Sequence, residues 1–543
     1  MIDLEKFHGR QSVLDLLKRR VVDLKEGYRQ NIAFLGERYI GKSAALKKFI
    51  TDIDDPQIVP IYIDLENPEF NHFFEKTVGY ILHRFSKDQK FSSYKNIKQL
   101  IEISQPHLPQ TCQIIKKAEA SMLQGRLAES YREIMLLPQT FAQETNKFCI
   151  FILDEFQNLE EFPVLEVFQE LGKQIMTQRR CLYVVASSFP TAAKKILSEK
   201  LSLLFGDFEV IEVEPFNRKS AQEFVGRHLE NTKISEQVSH FFIDFTGGRP
   251  LYLKLICEEI INLKALHKQT EIFFPLLMEA IDKVLFNEWG VLNRHFDLTI
   301  HQLCSGKGNG ILPMILVALA EGKQKAKELT QQTALKQGPL LQKVNRLVLQ
   351  DIVGRNGDYY YLKDKLFKYW VKHIFYKKRI SIDFNIEEQR NGFRSELARA
   401  FQTFKTASQK DLSSRVIELL YCFDNESFQI NGRRYKLPTF REIVPTKIRK
   451  GMGEYFDLIK GSTSEGDWIV ILKTGAFSEK DVNAVLTESK KLDLRPQRWI
   501  LVSPFDLDEN TRLKALQERM WIWNEGELNA LLHLYDKPYV VIS

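Results

Sequence analysis

The sequence predicts an α/β chain whose N-terminal part is a parallel sheet flanked by helices. Two observations predict it. Four short apolar runs, 31–35, 58–65, 148–153 and 181–186, have the length and hydrophobicity of buried strands, a fifth strand is expected over 208–213, and helical stretches separate them. The first run leads directly into Gly36-Glu37-Arg38-Tyr39-Ile40-Gly41-Lys42-Ser43, and the third ends in Asp154-Glu155, an acid pair at the end of a strand where open α/β sheets bind ligands.

Length and composition set the frame. With 543 residues the chain is too long for one ordinary core, and three or four domains are expected. A hydrophobic content of 44% with 27% charged residues is that of a globular protein, and no run approaches the roughly 18 apolar residues of a membrane span. The N-terminus, Met-Ile-Asp-Leu-Glu-Lys, carries acids and no long apolar run, so no signal peptide is expected. The six cysteines are far apart with no C-x-x-C pair, which fits reduced thiols in a cytoplasmic protein; Cys149 and Cys181, within apolar runs, are expected in the core. The net charge of +7 is unevenly spread: residues 306–379 hold 15 Lys or Arg against 5 Asp or Glu.

The segment Gly36 to Ser43 has the G-x-x-x-x-G-K-[ST] spacing of a phosphate loop. Gly36 and Gly41 let backbone N–H groups close around phosphates, Lys42 can reach the β and γ oxygens, and the Ser43 hydroxyl can ligate Mg²⁺. The run 31–35 before it is apolar and 44–50 after it has helical composition, the context such a loop requires. ATP and Mg²⁺ are the expected ligands. Asp154 then fits a metal ligand, and Glu155 the group that polarises the attacking water.

Around these motifs the chain resembles the archaeal-type P-loop ATPases of the AAA-related, signal-transducing group. Phe7-His8-Gly9-Arg10-Gln11 is similar to the hydrophobic-Gly-Arg-Glu box of that family, which implies that Arg10 lies near the nucleotide; Gln11 stands where Glu is common. Asp154-Glu155-Phe156-Gln157-Asn158-Leu159 is close to the family's acid-strand pattern. Ser187, after the fourth run, resembles the first sensor, placed to contact the γ-phosphate or the water; two serines ending a strand are also common turn chemistry. Thr246-Gly247-Gly248-Arg249-Pro250 resembles the Gly-x-Pro signature of the family's helical lid, although glycine ending one helix and proline opening the next explains it structurally. Arg249 is then either a phosphate sensor or a surface cation. Residues 86–147 read as a polar, helical insertion without assigned chemistry. Between Ala192 and Phe208 lysines (Lys194, Lys195, Lys200) stand where a ring-forming motor often supplies an arginine to its neighbour.

Residues 312–376 read as helices 314–320, 326–333 and 339–350, followed by a ribbon over 353–362 with a Gly-containing turn, the order of a winged helix-turn-helix. The third helix buries Leu340, Leu341, Val344, Leu347 and Val348 and turns Gln342, Lys343, Asn345 and Arg346 outward. Lys343 and Arg346 are the candidate contacts to duplex DNA. The competing reading is a packing module that meets protein.

Beyond Lys377-Lys378-Arg379 the order changes to a helix near 413–423, strands near 455–460 and 468–473, a helix near 480–490 and a strand over 499–503. This order resembles the restriction-endonuclease-like core. Glu418, Asp457 and Lys473 match its metal-site positions, but Ile471 stands where the essential acid should be, and Ile cannot ligate a metal. An inactive domain is expected unless another acid, such as Glu454 or Glu479, moves in.

The expected fold is therefore a parallel-sheet P-loop NTPase core (1–215), a helical lid (216–295), a winged helix (296–380) and an α/β restriction-endonuclease-like domain (381–543). The expected function is a Mg²⁺·ATP-binding and hydrolysing switch coupled to double-stranded DNA, with no membrane partner. An ATP-dependent protein-interaction switch and an ATP-regulated nuclease are the alternatives.

Overall fold

The structure, a computed structural model of the chain, describes residues 7–88, 96–201, 206, 208–230, 232–305, 308–380, 385–430, 433–449, 455–491 and 495–540. Two compact units compose it: Met1–Phe224 with Arg249–Leu251 and Leu349–Asp351, and Val225–Gly248 with Tyr252–Val348 and Ile352–Ser543.

In the first unit all five expected strands are present: β1 (Asn31–Leu35), β2 (Ile58–Asp64), β3 (Phe148–Asp154), β4 (Cys181–Ser187) and β5 (Phe208–Glu212). They form one parallel sheet in the order β2-β3-β4-β1-β5. Both faces of β1, β3 and β4 are covered, which is why these strands lack polar alternation, whereas the edge strand β5 is only partly buried and leaves Val210 exposed. Phe34, Ile150, Ile152 and Val184 face the helices Gln11–Lys25 and Lys42–Thr51 through Leu14, Leu17, Leu46 and Phe49. Leu35, Cys149, Phe151, Cys181 and Tyr183 face the opposite layer. That layer is built largely by the insertion, whose helices Ile97–Ser104, Pro109–Leu123 and Leu127–Thr145 pack Ile115, Tyr131, Ile134 and Phe141 on it. Fully burying each such side chain contributes about 1.5–3 kcal/mol, so the segment to which the sequence gives no chemistry is the cover of one sheet face.

In the second unit the helices Leu312–Ala320, Ala326–Thr333 and Gln337–Leu349 precede a ribbon of β6 (Val353–Asn356) and β7 (Tyr359–Leu362), antiparallel about Gly357-Asp358. The third helix begins two residues before Pro339, because proline is tolerated in a first turn where the N–H groups have no intrahelical partner. Leu340, Val344 and Leu347 are buried as expected, whereas Leu341 and Val348 are half-buried.

The helix Ile386–Ser408, absent from the sequence-based expectation, buries Phe393, Leu397, Phe401 and Phe404 along one stripe. Phe401 stacks on Phe274 with ring centroids 4.0 Å apart, and Arg390 and Arg394 both donate to the fully buried carboxylate of Asp282.

The C-terminal part holds a hairpin, β8 (Glu426–Ile430) with β9 (Arg433–Leu437), and a five-stranded sheet. The sheet runs in order through β10 (Glu442–Arg449), β11 (Tyr455–Ser462), β12 (Asp467–Leu472), β13 (Arg498–Val502) and β14 (Trp521–Trp523). Pairing is antiparallel up to β12 and parallel after it, and the helices Glu479–Lys491 and Glu509–Gln517 make the crossovers that parallel neighbours need. β10 carries Pro445, which its edge position tolerates.

The ribbon's tip is not at large. Asp358 N donates to Ser427 O at 3.3 Å and Asn356 Nδ2 to Gln429 O at 2.9 Å, both on β8. A Cβ on Gly357, whose φ is +61°, would stand 1.8 Å from Ser427 O, so only glycine permits the approach.

Candidate functional site

β1 ends at the phosphate loop. Gly36 N donates to Ser187 O at 3.2 Å, and a Cβ on Gly36 would meet Val213 O at 2.5 Å, so the loop lies against the sheet with no room for a side chain. Gly41, at φ +91°, hands the chain to the helix Lys42–Thr51, whose first N–H groups have no intrahelical partner and whose dipole favours an anion there.

The motif side chains converge. Lys42 Nζ donates to Glu37 O and Ser188 Oγ, each at 2.9 Å. Burial lowers its ammonium to about 8, against the attraction of Glu155 and Asp154; the positive charges of Arg38 and Arg249 push the same way. Ser43 Oγ donates to Asp154 Oδ2 at 2.8 Å, and Tyr62 OH donates to the same oxygen at 2.6 Å. Burial holds the Asp154 carboxyl above the usual carboxylate range, with the Tyr62 and Ser43 hydrogen bonds working against it. Glu155, at φ 56°, lies in the left-handed region; one carboxylate oxygen accepts from Ser188 N at 2.9 Å and from Gln157 Nε2 at 2.8 Å, and the other accepts from Ser188 Oγ.

These groups suit Mg²⁺·ATP. A hydroxyl and a buried carboxylate in contact are hard oxygen donors of the kind Mg²⁺ takes together with phosphate oxygens, and Lys42 with the helix N-terminus supplies positive potential beside them.

The structure moves one expectation. Ser187 is fully buried and its Oγ accepts from Phe189 N at 3.0 Å, a local turn bond, whereas Ser188 joins Lys42 to Glu155. A strand alternates sides, so a one-residue shift at its end exchanges core for site. Arg249 is no surface cation: 5% exposed, it pairs with Glu37 and donates from Nη1 to Arg38 O at 2.8 Å. Arg10 donates to Ile40 O at 3.1 Å and to Glu214 O, with its guanidinium 5.0 Å from the centroid of the Phe216 ring. Glu37, Gln157 and Ser188 lie within or beside the sequence motifs without a role assigned to them there, and Tyr62 lies outside the motifs, its signal a hydroxyl in an otherwise apolar strand two residues before its acidic end.

At the ribbon-bearing module, Lys343 and Arg346 both donate to the Oδ1 of buried Asn309, at 3.4 and 2.9 Å. The basic surplus of 306–379 is partly neutralised within the same unit: Lys325 pairs with Glu426, Lys365 with Asp244, Lys368 with Asp536 and Lys378 with Glu288.

In the C-terminal sheet the candidate metal residues do not meet. Glu418 pairs with Lys410, Asp457 with Lys447 at 3.8 Å, and Lys473 with the buried Asp481 at 2.6 Å. Strand alternation explains it: Asp457 shares a sheet face with Ile459, whereas Lys473 shares one with Ile471, and these two isoleucines belong to separate cores. Glu479 begins the helix Glu479–Lys491, and Glu454 lies outside the described residues. Among the described residues no three His, Cys, Asp or Glu gather as a metal site, and no helix is long and apolar enough to cross a membrane.

No protein-family model and no curated protein matches the chain. Solved structures similar to it include the Walker-type ATPase of Pyrococcus abyssi (14% identity, TM-score 0.45, covering 68% of this chain and 96% of that one). The Aeropyrum pernix ORC2 protein in ADPNP-ADP complexes (13%, TM-score 0.43, 72% and 96%) and ORC1 protein in complex with DNA (11%, TM-score 0.38, 69% and 95%) are others. The P-loop NTPase fold of the first unit rests on its own sheet order and phosphate loop.

Proposed function

We propose that the chain is a Mg²⁺·ATP-binding and hydrolysing switch whose nucleotide state is coupled to binding of duplex DNA through the winged helix. The observation that carries the ATPase reading is the convergence of Lys42, Ser43, Asp154 and Glu155 at the ends of β1 and β3, with Ser43 and Asp154 in contact. Ser43 and Asp154 would hold the ion, which when bound supplies neutralisation of charge on the β and γ oxygens. Lys42 exchanges Glu37 O and Ser188 Oγ for phosphate oxygens. Glu155, freed from Ser188, orients water for attack on the γ-phosphorus. Arg10, at the edge of the loop, supports the nucleotide.

Lys42→Ala should abolish ATP binding, and Glu155→Gln should keep binding while slowing turnover about a hundredfold or more, the scale of a lost catalytic base. Wild-type hydrolysis by both variants would refute the site.

For the DNA arm, Lys343 and Arg346 on an outward helix face are the support. Replacing both with Ala should weaken duplex binding across sequences and lower its salt slope by about 2, one unit per lost phosphate contact. One observation favours a second reading, a protein-interaction switch: the ribbon tip, which a winged helix can offer to DNA, is hydrogen-bonded to β8. Unchanged DNA affinity in the double variant would select it. The C-terminal sheet is taken as a restriction-endonuclease-like core without a metal site, and no nuclease is proposed.

A further inference from the structure

We infer that Arg38, inside the phosphate loop, is a catalytic residue that contacts the γ-phosphoryl group in the transition state, so that each chain supplies its own arginine. This rests on the ATPase reading above. The other cations at the site are already committed. Lys42 is held by Glu37 O and Ser188 Oγ, Arg249 by the Glu37 carboxylate and Arg38 O, and Arg10 by Ile40 O and Glu214 O. The Arg38 guanidinium differs. Among the described residues it makes no hydrogen bond or ion pair, and it rests on the Phe189 ring, 4.8 Å from its centroid.

Its location is set by two main-chain bonds. The carbonyl that receives Lys42 belongs to the Glu37–Arg38 peptide, so the Arg38 backbone is next to the ammonium; the Arg38 carbonyl is in turn pinned by Arg249. Phe189, beneath the guanidinium, directly follows Ser188, the residue that binds Glu155. Arg38 is thus anchored at the loop, its guanidinium on the ring of the residue that follows Glu155's partner Ser188. A half-exposed cation on an aromatic face is held weakly, and a phosphoryl oxygen offers the guanidinium fork stronger, charge-assisted bonds.

In the reaction, the water oxygen forms a bond to the γ-phosphorus as the bond to the β,γ-bridging oxygen breaks. The water proton leaves towards Glu155 and passes to solvent, and ADP and phosphate are the products. Arg38 donates to the equatorial oxygens, where charge gathers. This fills the role that 192–208, with lysines only, leaves open, and it does so without a neighbouring subunit.

The test is steady-state ATP turnover by wild type, Arg38→Ala and Arg38→Lys, with ATP affinity measured separately. Arg38→Ala should lower kcat about a hundredfold or more while changing ATP affinity less than about threefold, and Arg38→Lys, which keeps charge but not the fork, should also lose at least about tenfold in kcat. Wild-type kcat should not depend on protein concentration, and mixing Arg38→Ala with Lys42→Ala should restore nothing. Unchanged kcat in either Arg38 variant, or recovery of activity in the mixture, would overturn the assignment while leaving the ATPase reading intact. Absence of hydrolysis in the wild type would overturn both.

Discussion

At the scale of single residues, the site is governed by what burial does to charge. The Lys42 ammonium is lowered to about 8 by burial, and a bound polyphosphate raises it again by adding negative charge nearby. The sign follows. Well below pH 8 Lys42 is protonated with or without nucleotide, whereas above it binding draws in a proton, so affinity falls as pH rises through the free value. Calorimetry of ATP binding near pH 8.5, in two buffers of different ionisation enthalpy, should detect that uptake, and the signal should vanish near pH 6.5. Tyr62 supports Asp154 from behind. Tyr62→Phe should weaken Mg²⁺-dependent ATP affinity about tenfold, the scale of a lost bond to a metal ligand, and leave Mg²⁺-free nucleotide binding unchanged in a filter-binding assay. The motif residues proposed to bind phosphate, Lys42 among them, are legible because the phosphate-loop pattern fixes their spacing. Ser188 is not, because nothing in two consecutive serines says which faces the core.

Elements were legible where one local rule decided them. The strands β1 to β4 of the first unit announce themselves by apolar runs, and the Gly-containing turn places the ribbon β6–β7. The helix Ile386–Ser408 does carry a signal, Phe393, Leu397, Phe401 and Phe404 at helical spacing, but nothing local says what the stripe packs against; for β10, Pro445 argues against a strand until its edge position is known. Two elements carry direct predictions. Gly357→Ala puts a Cβ into Ser427 O at a left-handed φ and should cost about 2 kcal/mol in denaturant unfolding, the scale of backbone strain with overpacking. Asp351 caps the short helix Pro190–Lys195 from a distant position in the chain, accepting from Thr191 N at 2.9 Å and Thr191 Oγ1 at 2.7 Å. Asp351→Ala should cost about 1 kcal/mol by the same measurement, as for other lost caps.

For the whole molecule, the sequence pointed to the sites of chemistry and not to the tertiary pairing of charge. Residues 306–379 have a surplus of positive charge, yet Lys325, Lys365, Lys368 and Lys378 are paired with acids far away in sequence, and no local pattern reveals that. The same holds for Asp457 and Lys473, whose opposite faces depend on strand register. Two half-buried histidines, His533 and His373, make stability fall in acid. Burial, reinforced by Lys365 and Lys368 near His533 and by Lys372 near His373, depresses both imidazoles to about 4. An unfolded chain binds those protons near pH 6.5 and the folded one resists them, so their contribution is whole above pH 6.5 and is lost as pH falls towards 4. Roughly 3 kcal/mol each is the upper scale of that loss, and replacing His533 with Gln should flatten the pH dependence of unfolding in this window. Coupling of nucleotide to duplex is the central claim. The most direct measurement is duplex affinity at fixed salt for Glu155→Gln loaded with Mg²⁺·ATP against the nucleotide-free Lys42→Ala protein. A difference of about tenfold or more, equivalent to about 1.4 kcal/mol of coupling, is expected. Equal affinities would contradict the account.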